Sequence, residues 1–196
     1  MPVLPLTTVQ RMKGYGDIQS QVWTPANELL MSDMINATSL QFEQYCSRGF
    51  LITERTQSRR INNIFLPCNS YPVVSITAVY VSPTGNSRDY QEVDASQYDI
   101  SEDASGINVF NVKRGQLVKY VYTGGIAENT NDIIANHPSL ENACRLQTLS
   151  LWKRRTSPDR SAMTLGSGDT QWTAEYGLLK DVELTLRQGY LSQAFM

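Results

Sequence analysis

The apolar residues of this 196-residue chain change period twice, so it must build helices and a sheet in separate blocks. In "TPANELLMSDMINATSLQFEQYCSRGF", residues 24–50, Met31, Ile35, Thr38, Phe42 and Tyr45 recur at helical spacing, and Leu30, Met34 and Ala37 widen the stripe. Thr24 is placed to cap this helix and Pro25 fits its first position; Arg48 and Gly49 read as its cationic, glycine-terminated end. A shorter helix precedes it, capped by Thr7 or Thr8, running through Met12 and Lys13 and stopped by Gly14.

The period then drops to two. "YPVVSITAVYV" alternates with β-branched and aromatic residues, and "SRDYQEV", "QYDIS", "INVFNV" and "QLVKYVYT" follow between the turns "PTGN", "DAS", "EDASG" and "KRG". Short strands with short turns are the mark of antiparallel hairpins. In the last strand Val118, Tyr120 and Tyr122 share one face, and Leu117, Lys119 and Val121 the other.

Helical spacing returns at Pro138, where Leu140, Ala143, Cys144, Gln147 and Leu151 form a stripe through Trp152 that ends in "KRR". "TSPDRSAMTLGSGDT" reads as a loop, and "GLLKDVELTLRQGYL" as a last amphipathic segment with Leu179, Val182 and Leu186 on one side. The expectation is an α+β fold: a small helical bundle with an inserted antiparallel β-hairpin/meander region and a C-terminal helical arm. It forms one domain over 1–196, divided into N-terminal helices (1–60), β insertion (61–125), core helix (126–155), and loop with arm (156–196). No internal repeat is visible.

Composition narrows the function. Hydrophobic residues make up 41% and charged residues 18%, enough apolar surface for a packed core. The net charge of −2 provides no global attraction for nucleic acid. The longest apolar runs fall far short of the roughly 20 residues of a membrane helix, so no membrane partner is expected. "MPVLPLTTVQ" has no basic region ahead of an apolar one, and its two prolines argue against a signal helix. Cys46, Cys68 and Cys144 are widely spaced and odd in number, as suits reduced thiols that pack as small apolar groups.

Catalytic constellations are missing. His137 is the single histidine, with no metal-ligand spacing around it, and the paired acids of "EDASG" and "DVE" fall in a turn and on a polar helix face. Gly124-Gly125 lies where a strand gives way to a helix, as in phosphate-binding loops. Yet "TGGIAENTND" has neither the lysine nor the third glycine such loops need, and its strand belongs to a meander rather than a parallel sheet. The pair therefore reads as a structural turn, followed by a polar linker from Ala127 to Asn136. No catalytic, cofactor-binding or metal residue is assigned, and no cofactor is expected.

Two basic clusters remain, Arg55, Arg59 and Arg60 in one and Lys153, Arg154, Arg155 and Arg160 in the other. They can serve as capping and solubility charges, or as forks for carboxylate or phosphate on a partner. Without interleaved aromatics, single-strand binding is disfavoured.

The order of "LLMSDMINATSLQFEQYCSRGF", "LPCNSYPVVSITAVYV", "YVYTGGI" and "HPSLENACRLQTLSLWKRR" resembles the head–tail connector (adaptor, or head-completion) proteins of tailed bacteriophages. The resemblance implies a structural virion protein of the neck, made in the host cytoplasm. It implies a homo-oligomeric ring, generally of 12 copies, below the portal protein, extending the DNA channel and offering a docking surface to a tail or head-closure (stopper) protein. DNA would pass through the lumen without sequence-specific binding, and no catalysis is involved. On that basis Arg154, Arg155, Leu191, Phe195 and Met196 are candidate portal contacts, and Met31, Ile35, Phe42, Leu179, Val182 and Leu186 are candidate subunit-interface residues. Another neck or tail-completion protein is the nearest alternative. A nucleic-acid-binding module or nucleotide-dependent enzyme is the more distant one.

Overall fold

A computed structural model describes residues 3–15, 18–19, 22–156, 162–164, 170–172 and 177–191. The described elements are α1 (Val9–Lys13), α2 (Pro25–Cys46), β1 (Thr53–Arg60), β2 (Phe65–Pro67), β3 (Val73–Ser82), β4 (Gln91–Glu92), β5 (Tyr98–Ile100), β6 (Gly106–Val109) and β7 (Leu117–Gly124). They continue with α3 (Thr130–Asn136), α4 (Pro138–Thr156), β8 (Ala162–Thr164), β9 (Thr170–Trp172) and α5 (Lys180–Gly189). This is an α+β fold, and the chain divides into two compact units: Met1–Cys46 with Asn129–Leu191, and Ser47–Glu128.

The first unit is helical. Thr8 caps α1 by accepting from the Arg11 N–H, and Thr24 accepts from the Asn27 N–H at the start of α2. Met31, Ile35, Thr38, Ser39, Phe42 and Cys46 form the buried face of α2, while Ala37 faces solvent rather than joining the stripe. α4 is buried on most of its circumference, through Leu140, Ala143, Cys144, Gln147, Leu149 and Trp152, so it is the helix around which this unit is packed. α5 docks on it: the Gln147 side chain donates to the Gly177 carbonyl and accepts from the Leu179 N–H, and Val182 and Leu186 are fully buried. Burying each such aliphatic side chain is worth about 2 kcal/mol.

The segment 127–136, expected to be a polar linker, contains helix α3. Its Asn129 cap accepts from the Asn131 and Asp132 N–H groups, Asp132 accepts from the Asn129 N–H in return, and Ile133 is its buried anchor.

The second unit is a pair of antiparallel sheets. One has the order β1-β7-β3-β4 and the other β2-β6-β5. Both feed one core made of Ile61, Leu66, Cys68, Val73, Val79, Ile107, Val109, Val118, Tyr120 and Tyr122. β7 alternates strictly, with Val118, Tyr120 and Tyr122 inside. β3 does not, because register shifts against β7 between Val73 and Ser75 and between Ile76 and Ala78 break its two-residue period.

The sheet begins earlier than residue 61. β1 pairs with β7 along its whole length, from Thr53 opposite Gly124 to Arg60 opposite Leu117, inside the segment 1–60 expected to be helical. The end of α2 also differs from expectation. Its last residue is Cys46, and the left-handed residue after it is Ser47 (φ 52°), not Gly49. Gly49 lacks room for a Cβ, which would sit 2.8 Å from the Ser70 Oγ. Arg48 is buried in the β unit, where its guanidinium stacks 3.4 Å from the Tyr71 ring centroid and donates to the Tyr71 carbonyl.

Candidate functional surfaces

The basic end of α4 is held by an aromatic ladder. Trp152 stacks on Trp23 at 5.6 Å between ring centroids, the Lys13 ammonium sits over Trp23, and the Arg155 guanidinium lies 5.0 Å from the Trp152 ring centroid. Arg155 is exposed and Arg154 half-buried. At the other end of α4, Ser139 and Tyr190 share a hydroxyl hydrogen bond at 3.1 Å, so α5 ends beside the start of α4. Leu191, half-buried, follows directly. The rise from Ser139 to Arg154 is roughly 22 Å at 1.5 Å per residue. The structure therefore does not gather Arg154, Arg155 and Leu191 into one patch; Phe195 and Met196 lie outside the described residues.

The candidate interface residues are placed inside the unit. Met31, Phe42, Val182 and Leu186 are 0% exposed and Ile35 is 2% exposed, so these five side chains have no surface to offer a neighbour. Their stripe is the core stripe. Leu179 is half-buried at the start of α5. The outward face of α2 is a different set, with Leu29 66% and Leu40 41% exposed, aligned at helical spacing with Asp33, Asn36 and Gln44. On α5 the exposed apolar residue is Leu184. Between these helices an open groove is lined by Gln41, Gln44, Tyr45, Gly177, Leu178 and Glu183. Tyr45 donates to Glu183 and accepts from the Arg187 Nε there.

A buried charge in the helical unit had no visible signature in the sequence. Glu141 on α4 takes a two-pronged contact from Arg11, at 2.9 Å and 2.8 Å, and a third hydrogen bond from the Thr7 hydroxyl. Arg145 stands 3.8 Å from the same carboxylate. Burial on its own would raise the Glu141 pKa; the hydrogen bonds from Arg11 and Thr7 and the fields of Arg11 and Arg145 outweigh it and hold the carboxyl below its usual range. The contact ties α1 to α4. The i, i+4 spacing of Glu141 and Arg145 was readable, but the Arg11 partner, 130 residues away, was not.

Besides the Arg48 cation, the β unit buries neutral groups. The Tyr122 hydroxyl donates to Gln57 Oε1 at 2.6 Å and accepts from the Ser70 N–H, and the Tyr120 hydroxyl donates to the Pro67 carbonyl. Burial pushes the Cys68 thiol up to about 12, against the opposing pull of a Tyr122 hydrogen bond. Cys144, enclosed in the helical unit, is likewise pushed up to about 12 by burial. Both thiols are protonated at neutral pH and pack as apolar groups. Cys46 is also buried and in no disulfide.

Gly124 and Gly125 sit where backbones meet. A Cβ on Gly124 would lie 2.3 Å from the Ser70 carbonyl oxygen; one on Gly125, whose φ is +144°, would lie 2.5 Å from the Leu51 carbonyl. The Gly125 N–H donates to the Pro72 carbonyl and the Ile126 N–H to the Phe50 carbonyl. These N–H groups are spent on the protein's own backbone rather than aimed at a phosphate. His137 joins α3 to α4: its N–H closes α3 on the Ile133 carbonyl and its own carbonyl accepts from Leu140 and Glu141. Among the described residues no three His, Cys, Asp or Glu side chains are gathered as a metal site, and no helix is long and apolar enough to cross a membrane.

No protein-family model matches the chain, and no curated protein matches it. Solved structures do. A chain in the virion of a native gene transfer agent particle aligns over 94% of this chain and 92% of its own length, with a TM-score of 0.59 at 12% identity. The neck of an empty gene transfer agent particle, computed with sixfold symmetry, aligns over the same shares at a TM-score of 0.57 and 12% identity. The neck of a native particle, computed with twelvefold symmetry, aligns over 81% of this chain and 82% of the other at a TM-score of 0.53 and 13% identity. This chain has the fold of those proteins.

Proposed function

We propose that this chain is a structural subunit of the neck of a tailed-phage-like particle. The observation that carries the reading is the fold, shared along nearly the whole chain with proteins of particle necks solved under sixfold and twelvefold symmetry. In the finer form, twelve copies close into a ring beneath the portal, line the DNA channel, and present a docking surface to the next tail component. The residues fit such work. The Cys68 and Cys144 thiols are protonated and buried, and the glycine turn is occupied by its own backbone. The role is architectural and involves no reaction. The exposed α2 face with Leu29 and Leu40, and the Arg154–Arg155 end of α4, are the surfaces of the helical unit left to partners in this reading.

The test is location. Gold labelling or density fitting in the intact particle that carries this chain should find it in a ring next to the portal. Density confined to the capsid shell or the distal tail would contradict the reading.

A further inference from the structure

The β unit has no net charge but separates its charges. Residues 47–128 contain eight Lys and Arg and eight Asp and Glu. Five of the cations lie on one side: Arg55, Arg59 and Arg60 on the edge strand β1, and Lys113 and Arg114 on the loop after β6. That loop is fixed to β1. The Gly115 N–H donates to the Ile61 carbonyl at 2.8 Å, and Arg60 Nη1 donates to the Gly115 carbonyl at 3.0 Å. Ile64, 57% exposed, adds an apolar residue to the same side.

Five of the eight acids lie on the other side. Glu92 is part of β4, the opposite edge of the four-stranded sheet, whereas the turn that carries Asp89 packs on β1, with Arg60 against Gly85 and the Tyr90 hydroxyl donating to Ser58 Oγ. Asp94 and Asp99 lie on the continuation into β5, the edge of the second sheet, and Glu102 and Asp103 on the turn that follows. The Val93 N–H donates to the Val79 carbonyl and the Val73 N–H to the Ala104 carbonyl, which hold this segment against β3. These five acids are exposed, as are Arg59, Arg60, Lys113 and Arg114. Serine hydroxyl and backbone N–H donors keep Asp94 and Asp103 below the usual carboxylate range, so both stay charged at neutral pH.

Charge on an edge strand by itself needs no partner, since it deters unwanted sheet pairing. Opposite charge on the two opposite edges is a different matter. A closed ring of identical subunits uses a heterologous contact, in which two unlike and complementary surfaces of each copy meet. We propose that the basic β1 edge of one copy docks on the acidic β4–β5 edge of the next, and that this contact sets the direction and closure of the ring. The inference rests on the neck-ring reading and adds the surface pair that builds it. Electrostatic matching of this kind fixes register and partner choice, and it weakens with salt.

The test uses two charge-reversed full-length chains. In one, Arg59→Glu, Lys113→Glu and Arg114→Glu make both edges acidic. In the other, Glu92→Lys, Asp99→Lys and Glu102→Lys leave three lysines against two aspartates on the acidic edge, so both edges are net positive. Each should fold, with wild-type thermal unfolding, because the changed side chains are exposed. Each alone should lose self-association by about a hundredfold or more, because like-charge contacts cost several kcal/mol. Mixed in equal amounts, they should assemble into an alternating ring of the wild-type size by native mass spectrometry. Rings persisting in either single variant, or a mixture that stays unassembled while both chains are folded, would overturn the proposal and leave the ring reading standing. A wild-type chain that never assembles would overturn both.

Discussion

The two units each bury a charge, but against different partners. The helical unit turns charge inward: Glu141 is enclosed by Arg11, Thr7 and Arg145. The β unit buries the neutral hydroxyls of Tyr122, on Gln57, and Tyr120, on Pro67, and stacks its buried cation, Arg48, on the Tyr71 ring, while most of its other charged groups are exposed. In one unit the buried charge is met by an opposite charge, in the other by an aromatic ring. The difference predicts different responses to mutation and to pH.

The largest effect is expected at the glycine turn of the β unit. Gly125→Ala meets both positive φ and a backbone contact at 2.5 Å, and should cost about 3 kcal/mol or more in thermal or denaturant unfolding. Gly115→Ala, with φ +88° and open space around it, should cost about 1 kcal/mol. Equal losses at the two sites would show that packing at Leu51 is not what constrains the turn.

Next comes the buried carboxylate. Glu141→Gln should destabilise the helical unit by about 2 kcal/mol, the worth of hydrogen bonds to a charged group. Its pH dependence has a definite sign. The Glu141 carboxyl titrates below its ordinary value of 4.5 in the folded chain. Its contribution is therefore complete above that value and is lost as pH falls through the lower folded pKa. All three tryptophans lie outside residues 47–128, so tryptophan fluorescence follows the helical unit and tyrosine signals follow the β unit more closely. Acid should loosen the tryptophan signal in the wild type, and Glu141→Gln should flatten that dependence.

Tyr122→Phe should cost about 1–2 kcal/mol, since Gln57 Oε1 and the Ser70 N–H both lose a partner, and the loss should be the same from pH 4 to pH 7. A loss that varied across that range would break the contrast between the units. Asn129→Ala should cost about 1 kcal/mol by removing the α3 cap, seen as faster amide exchange in 130–136.

Much of the fold could be read from the sequence where apolar period and end signals agree. α2 and α4 open on Pro25 and Pro138 and carry regular buried stripes, and β7 alternates without interruption. β1 was hidden because its positions are Arg, Gln, Ser and Glu, which show no alternation in hydrophobicity although their burial alternates. α3 was hidden because it has a single buried anchor, Ile133, and an Asn–Asp capping box between polar residues. Surfaces were harder still. An apolar stripe looks the same whether it meets its own core or another copy, and Met31, Ile35 and Phe42 proved to be core. Arg48 read as a helix-end cation, yet it is stacked on Tyr71 within the β unit. Charge separation across the two sheets arises only from strand order, β1 and β4 being far apart in the sheet and β4 and β5 close in the chain.

The neck-ring proposal requires that this chain close into a ring. Native mass spectrometry of the purified wild-type chain, at rising concentration and low salt, tests it most directly. A single closed species of twelve copies, dissociating as salt is raised, is the predicted result. A single subunit at every concentration and salt would contradict it.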